Sequence, residues 1–228
     1  MYRKFFKRFC DIVFSLPALL VFVLAFIFVA PAIFFTDRGP VFYVAVRRGR
    51  NGKTFRMIKF RSMRVNAPDV RNADGSTYTG ADDPRVTKIG RLMRRTSVDE
   101  LPQFINVLKG DMSIIGPRPM PEFFVERMSE RHKMRHAVRP GLECPYTVPE
   151  GTLLNNYYWK FENDVWYVEN ISFRTDLKMI GRLFRLTFNM SNRGDHAGGL
   201  SYFVGYDDDG HAISLRQAKE MYTLEQES

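Results

Sequence analysis

The run IVFSLPALLVFVLAFIFVAPAIFF, Ile12 to Phe35, contains no charged residue. As one straight helix it would be roughly 36 Å long, at about 1.5 Å per residue, enough to cross a hydrocarbon layer of about 30 Å. A signal peptide would be shorter and would carry a small-residue cleavage site before Asp37. A soluble core helix would show a polar face, and here only Ser15 interrupts the apolar surface. The run therefore reads as a membrane segment.

Its flanks bear on how it inserts. Arg3, Lys4, Lys7 and Arg8 precede it, and Arg38, Arg47, Arg48, Arg50 and Lys53 follow. Basic residues favour the cytoplasmic side, so a spanning helix would push one cluster outward. A helix that breaks and returns keeps both inside. Pro17 and Pro31 lack an N–H and clash with the preceding turn, and so supply breaks. Ser15 lies close enough to Pro17 to satisfy a freed carbonyl, which lipid cannot do. The expected topology is re-entrant, with the kink at Ser15 and Pro17.

The chain has 228 residues, 45% hydrophobic and 26% charged, which excludes a disordered protein. One long apolar stretch excludes a polytopic membrane protein. Cys10 and Cys144 cannot make a disulfide framework or a cysteine zinc site, and read as reduced packing residues. The 34 Lys and Arg against 25 Asp and Glu give +9, which implies an anionic partner: phosphate, nucleic acid or lipid headgroups.

Beyond Phe35, Gly39 to Met63 reads as two short strands around a turn at Arg50-Asn51-Gly52. Asn66 to Asp83 is polar and reads as a loop, Val86 to Arg95 as a short basic helix, and Leu101 to Leu108 as a second helix. Glu122 to His136 reads as a charged surface helix, and Asn155 to Asn170 as an aromatic-rich packed one. Leu177 to Phe188 is amphipathic. The last stretch is polar, with a Gly-rich turn and a final short helix. His132 and His136 lack the acidic residue of a zincin motif and read as a surface pair. Asp207-Asp208-Asp209-Gly210 lacks EF-hand spacing and reads as a turn.

The segment RRTSVDELPQFINVLKGDMSIIGPRP, Arg94 to Pro119, carries the chemistry. Ser97-x-x-Glu100 fits a helix capping box, with Asp99 as a first-turn acid. Pro102 fits that helix poorly and suggests a start one or two residues later. The functional alternative is that Asp99 and Glu100 offer hard oxygen ligands to Mg²⁺ alongside substrate phosphates. A carboxylate can also attack phosphorus and form an acyl phosphate. Arg94 and Arg95 can grip phosphate oxygens. Lys59 and Arg61 fall on one face of a strand, as phosphate contacts or as a solvated edge. Arg139-Pro140-Gly141 is a further basic group.

The chain resembles the bacterial sugar transferases, the monotopic phosphoglycosyl transferases that load a sugar-1-phosphate onto a polyprenyl phosphate. The matching residues are Lys7-Arg8-x-x-Asp11, Gly39-Pro40-Val41-Phe42-Tyr43, Lys53-x-Phe55, Lys59-Phe60-Arg61-Ser62-Met63 and Asp83-Pro84-Arg85. They continue through Ser97-Val98-Asp99-Glu100-Leu101-Pro102-Gln103, Asn106-Val107-Leu108-Lys109-Gly110-Asp111-Met112-Ser113, Gly116-Pro117-Arg118-Pro119 and Arg139-Pro140-Gly141. Tyr167-Val168-x-Asn170-x-Ser172 and Asp176-Leu177-Lys178 complete the set. The resemblance covers roughly residues 3 to 190, in the minimal length of that family.

It implies an α/β (α+β) protein: a re-entrant membrane helix (1–36), a compact, mainly helical catalytic domain with a small β-hairpin (37–190) and a C-terminal tail (191–228). It places the chain on the cytoplasmic face of a bacterial inner membrane, acting on a UDP-sugar and a polyprenyl phosphate among membrane lipids. Asp99 is then the nucleophile, and Glu100 helps it hold Mg²⁺. Lys59, Arg61, Arg94, Pro117, Arg118 and Arg139 are expected around the substrates. Assembly as a homodimer is left open.

Two stretches depart from the family pattern. The Ser-Pro pair that usually breaks the helix is replaced by Phe22-Val23-Leu24-Ala25. After Arg139-Pro140-Gly141 the usual Ile/Leu-Thr-Gly and apolar Gln-Val stretch gives way to Leu142-Glu143-Cys144-Pro145-Tyr146-Thr147-Val148. A nucleic-acid binder would leave the paired acids unexplained, and no binding module is present. A non-catalytic membrane-tethered scaffold of the same fold would be expected to lack Asp99, Glu100 or Arg118, and all three are there.

Overall fold

The computed structural model describes residues 2–70, 83–144, 157–188, 203–214 and 217–218. Helix α1 runs Lys7–Asp37, after a wider-wound turn at Tyr2–Phe6, and holds Pro17 and Pro31 inside it. Ser15 Oγ donates to the Asp11 carbonyl, 2.6 Å away, rather than to that of Val13, which Pro17 leaves without its helical donor. The helix ends at Arg38 in the left-handed conformation, φ 52°.

One face of α1 lies on the domain along its whole length. Lys7, Asp11, Ser15, Phe22, Ala30 and Ile33 are buried, at spacings that keep them on one stripe. The opposite face, including Phe9, Val13, Leu20, Leu24, Ile27 and Phe28, is exposed. The two ends are held differently. Near Lys7 the contacts are polar. Lys7 Nζ reaches Asp176 at 2.7 Å, Arg8 donates to the carbonyls of Val107 and Leu108, and Asp11 accepts from Ser113 Oγ at 2.8 Å and Ile114 N at 3.0 Å. Near Ile33 they are apolar: Phe22 and Ile33 share a cluster with Phe60 and Met93, and Phe26 stacks on Phe42.

Strands β1 (Phe42–Arg48) and β2 (Thr54–Phe60) form the expected antiparallel hairpin, with Val44 opposite Ile58 and a 3-10 turn at Arg50–Gly52. Asn51 takes φ 56°, which asparagine tolerates well. Helices α2 (Lys88–Thr96) and α3 (Gln103–Lys109) also match, and Pro102 takes the position just before α3. Strand β3 (Ser113–Ile115) then pairs in parallel with β4 (Gly141–Glu143). The main core lies between the hairpin and these elements, with Met57, Val107, Met112, Ile115, Tyr167 and Met179 buried together.

The surface helix expected over Glu122 to His136 is instead broken into α4 (Glu122–Glu126), α5 (Glu130–Lys133) and a 3-10 turn at Met134–Ala137. Ser129 restarts it, because its side chain accepts from the His132 amide. His132 is no surface residue: it is buried against Tyr206 OH (2.8 Å) and Glu162 Oε1 (2.9 Å). Helices α6 (Tyr157–Glu169) and α7 (Phe173–Phe188) follow. The polar C-terminal stretch adds a hairpin, β5 (Phe203–Tyr206) and β6 (Ala212–Ser214), around the predicted turn at Asp207 to Gly210. Phe203 and Ala212 are buried with Phe161 and Met128. The final helix, the Gly-rich turn and most of the loop before Asp83 lie outside the described residues. Both cysteines are free, Cys144 buried and Cys10 half-buried.

Asp176 ties the first turn of α1 to the core, because Tyr2 OH, Lys7 Nζ and Tyr167 OH all donate to it, within 2.6 to 2.7 Å. Replacing it strands the buried Lys7 ammonium, so Asp176→Leu is expected to cost about 3–5 kcal/mol. Adding Lys7→Met should recover most of that loss, as read by thermal unfolding in uncharged detergent.

Candidate active site

Asp99 sits on a single 3-10 turn, Val98–Glu100, wedged between α2 and α3. Ser97 closes α2 in the left-handed conformation, φ 56°, and its side chain makes no capping bond to the following turn. The capping box therefore does not form, and the side chain of Glu100 is directed elsewhere. Val98 and Leu101, on either side, pack into the cluster that holds Phe22 and Ile33 of α1. The acidic pair is thus fixed against the membrane helix itself.

Two chain segments converge on Glu100. Lys59, near the end of β2, reaches its Oε1 at 2.7 Å. Arg118, just beyond β3, reaches the same oxygen at 2.6 Å through Nη2. Arg118 Nη1 turns to Glu143 Oε2 (2.9 Å) and the Leu142 carbonyl (3.1 Å) on β4. This reach requires β3 and β4 to run very close where they end. A Cβ on Gly141 would lie 2.2 Å from the Gly116 nitrogen, so glycine is needed there. Pro117 is buried at that contact, and its carbonyl accepts from the Gly141 amide. Arg135 Nη2, buried, donates to the Arg118 carbonyl at 2.7 Å and pairs with Asp164 at 2.8 Å.

The two neighbouring carboxylates differ sharply. Burial pushes Glu100 up, but Arg118 and Lys59 outweigh it and hold the group at about 2. Asp99 is 8% exposed and makes no side-chain hydrogen bond or ion pair with any other described residue. Burial, then the Glu100 charge, push it up to about 6, against the pull of Lys59 and Arg94. A carboxylate raised in this way beside a fixed anion is a recognised mark of a functional group. Glu100 Oε1 takes both cations, which leaves its second oxygen and the Asp99 carboxylate as an adjacent hard-oxygen pair. That donor set fits Mg²⁺ shared with substrate phosphates, although no cluster of three metal-binding side chains exists among the described residues.

The other expected residues divide. Arg94 stands at the end of α2 with Nε on Ser62 Oγ (3.0 Å), within electrostatic reach of Asp99. Arg61 points away from Glu100: both its terminal nitrogens pair with Asp37 at 2.6 Å, and its Nε donates to the Pro40 carbonyl. Arg139 donates to the Gly110 carbonyl at 2.8 Å, at the far end of α3, about 10 Å of helix from the acidic pair. Sequence reasoning missed Glu143 and Arg135 as partners of Arg118. Glu143 did stand out, because it occupies the position where the family usually has threonine.

The sequence matches the family model for bacterial sugar transferases over residues 2–190. It is 39% identical over 181 residues to a galactosyl transferase, CpsE, of Streptococcus agalactiae, covering 76% of this chain and 40% of that protein. It is 38% identical over 189 residues to the exopolysaccharide production protein PSS of Rhizobium leguminosarum, covering 76% and 90%. A UDP-glucose:undecaprenyl-phosphate glucose-1-phosphate transferase of Escherichia coli is 37% identical over 185 residues, covering 78% and 39%. The chain thus spans about two fifths of some of these relatives and nearly all of another. With its acidic pair, its arginine-bearing Gly-Pro-Arg-Pro elbow and its apolar first helix all inside the matched region, the chain belongs to the bacterial sugar transferase family.

Proposed function

We propose that this protein transfers a sugar-1-phosphate from a UDP-sugar to a polyprenyl phosphate, through a covalent intermediate on Asp99. The observation that carries the reading is the split pair: an unpaired, largely buried Asp99 beside a Glu100 fixed by Lys59 and Arg118. The names of relatives that act on undecaprenyl phosphate support the substrate classes.

In the first step an Asp99 carboxylate oxygen attacks the β-phosphorus of the donor. The bond from that phosphorus to the α–β bridging oxygen breaks, and UMP leaves with the electron pair. In the second step a phosphate oxygen of the lipid attacks the same phosphorus, and the acyl phosphate bond breaks to restore the carboxylate. Neither step needs a proton from Asp99, provided the group is ionised. Arg118 and Lys59 sit where phosphoryl oxygens gather, and their charge lets two anions approach. Asp99 and Glu100 would hold Mg²⁺, which supplies further neutralisation of the diphosphate.

α1 is one unbroken helix rather than one that breaks and returns, and its contact with the domain at both ends supports a helix and domain held on the same side of a membrane. Both ends of α1 touch the same domain: Lys7 through Asp176, and Ile33 through the cluster of Phe60 and Met93. A helix so held offers its exposed apolar face to one leaflet, and basic residues flank both ends. The rival reading, a scaffold that binds without turnover, is separated by UMP release from a panel of UDP-sugars.

Donor labelled in the sugar phosphate, with no lipid present, should leave label on the protein, at most one per chain, with UMP released. Asp99→Asn should abolish both. Absence of label together with sequential kinetics would mean direct transfer. Activity should fall as pH drops through about 6, because protonation removes the nucleophile. Lys59→Met should move that limb to higher pH, since Lys59 favours the ionised Asp99. Arg118→Ala should lower turnover by roughly two orders of magnitude while the domain stays folded, because it removes one of the two cations that fix Glu100 and offset the charge of the approaching anions.

A further inference from the structure

The far end of α3 gathers arginines that the reaction does not use. Arg8 and Arg139 flank Gly110 closely. A point one Cβ away from that residue lies 3.6 Å from Arg8 Nη2 and 4.0 Å from Arg139 Nε. Arg3 joins them from the start of the chain, donating to the Ala137 carbonyl at 3.2 Å, and Arg50 projects from the hairpin turn close enough to repel Arg139. The four come from three separate stretches of chain: the turn at Tyr2–Phe6 with the first turn of α1, the β1–β2 turn and the segment leading into β4.

Helix capping explains only part of this. The C-terminal carbonyls of α3 attract cations, and Arg8 fills two of them, those of Val107 and Leu108. Arg139 uses only Nε, on the Gly110 carbonyl, and its two terminal nitrogens make no bond to a described residue. Arg50 is exposed and makes no side-chain bond either. None of the four has an ion pair among the described residues. Two carboxylates lie in the region and leave the charge uncompensated. Asp11 is buried on Ser113 and Ile114, and Asp111 is paired with Lys109 at 3.5 Å.

The position of the cluster says what could fill it. On the same turns as Arg3 and Arg8, Phe5, Phe6 and Phe9 are exposed at 73%, 48% and 61%. Aromatic rings of that exposure, on the helix that enters lipid, belong in the interfacial layer. The arginines beside them then lie at the depth of lipid phosphates, where each basic residue adds to attraction for anionic lipid. We propose that Arg3, Arg8, Arg50 and Arg139 form a binding site for the phosphodiester headgroup of an anionic phospholipid, separate from the Asp99 site. The site holds the amino-terminal end of α1 at a fixed depth and does not depend on the transferase reading.

The test uses the full chain, delipidated in uncharged detergent. It is incubated with an equimolar mixture of phosphatidylglycerol and phosphatidylcholine and passed through size exclusion, and the retained lipids are quantified. The wild type should retain phosphatidylglycerol in preference. Arg50→Gln, on an exposed turn where folding is not at stake, should lower that preference about fivefold, and Arg50→Gln/Arg139→Gln about twenty-five-fold, at about 1 kcal/mol per basic residue. Lys133→Gln, which removes the same charge from α5, should leave it unchanged. An unchanged preference in the arginine variants, or an equal loss in Lys133→Gln, overturns the site. Displacement of the lipid by a few millimolar free glycerol phosphate overturns the assignment to a lipid, and failure to displace supports it.

Discussion

A buried ion pair between the first turn of the chain and its last described long helix sets the geometry of this protein. Lys7 and Asp176 are both nearly inaccessible, and their side chains retain 11% and 7% of their exposure. Such a pair contributes little net stability compared with packed apolar side chains, but loss of one partner is costly. Its value lies in register. The rest of α1 is a uniform apolar surface that could slide along the domain at small energetic cost. Lys7 on Asp176, with Asp11 on Ser113 and Ile114, selects one position. That position brings Phe22 and Ile33 onto Val98 and Leu101, and so fixes where the acidic pair stands.

The second organising feature is electrostatic asymmetry between adjacent side chains. Asp99 and Glu100 share a burial environment, and a symmetric pair would leave one proton shared between them. Two cations on Glu100 remove that ambiguity, so the proton that burial favours falls on Asp99 alone. Lys59, together with Arg94, keeps Asp99 low enough to be ionised in most molecules at neutral pH. Arg118 is central because it is held from behind as well as in front. Arg135 grips its carbonyl, and Glu143 takes its other nitrogen. Glu143 ties this grip to the stretch where the chain departs from its family's pattern.

Much of this was legible in the sequence where the physics is local. The hairpin was readable from alternation and the Asn-Gly turn, and α2 and α3 from periodicity and Pro102. The acidic pair was readable as a site only through its basic surroundings. What failed was non-local. Ser97-x-x-Glu100 satisfies the capping rule, but Lys59 and Arg118 bind Glu100 more strongly than a backbone amide could, across separations of 41 and 18 residues. Arg61 read as a phosphate contact beside Lys59, yet Asp37 takes both its terminal nitrogens. The Glu122 to His136 stretch looked like one helix because its breaks arise from burial of Met128, His132 and Arg135, not from helix-breaking residues.

The Lys7–Asp176 contact also spans 169 residues. At a synthesis rate of about 5–20 residues per second, roughly ten to thirty seconds separate the emergence of the two partners. Through that interval the apolar helix has no completed domain to rest on, and its charged first turn must remain solvated. The last long helix acts as a latch, closing over an anchor that was placed long before.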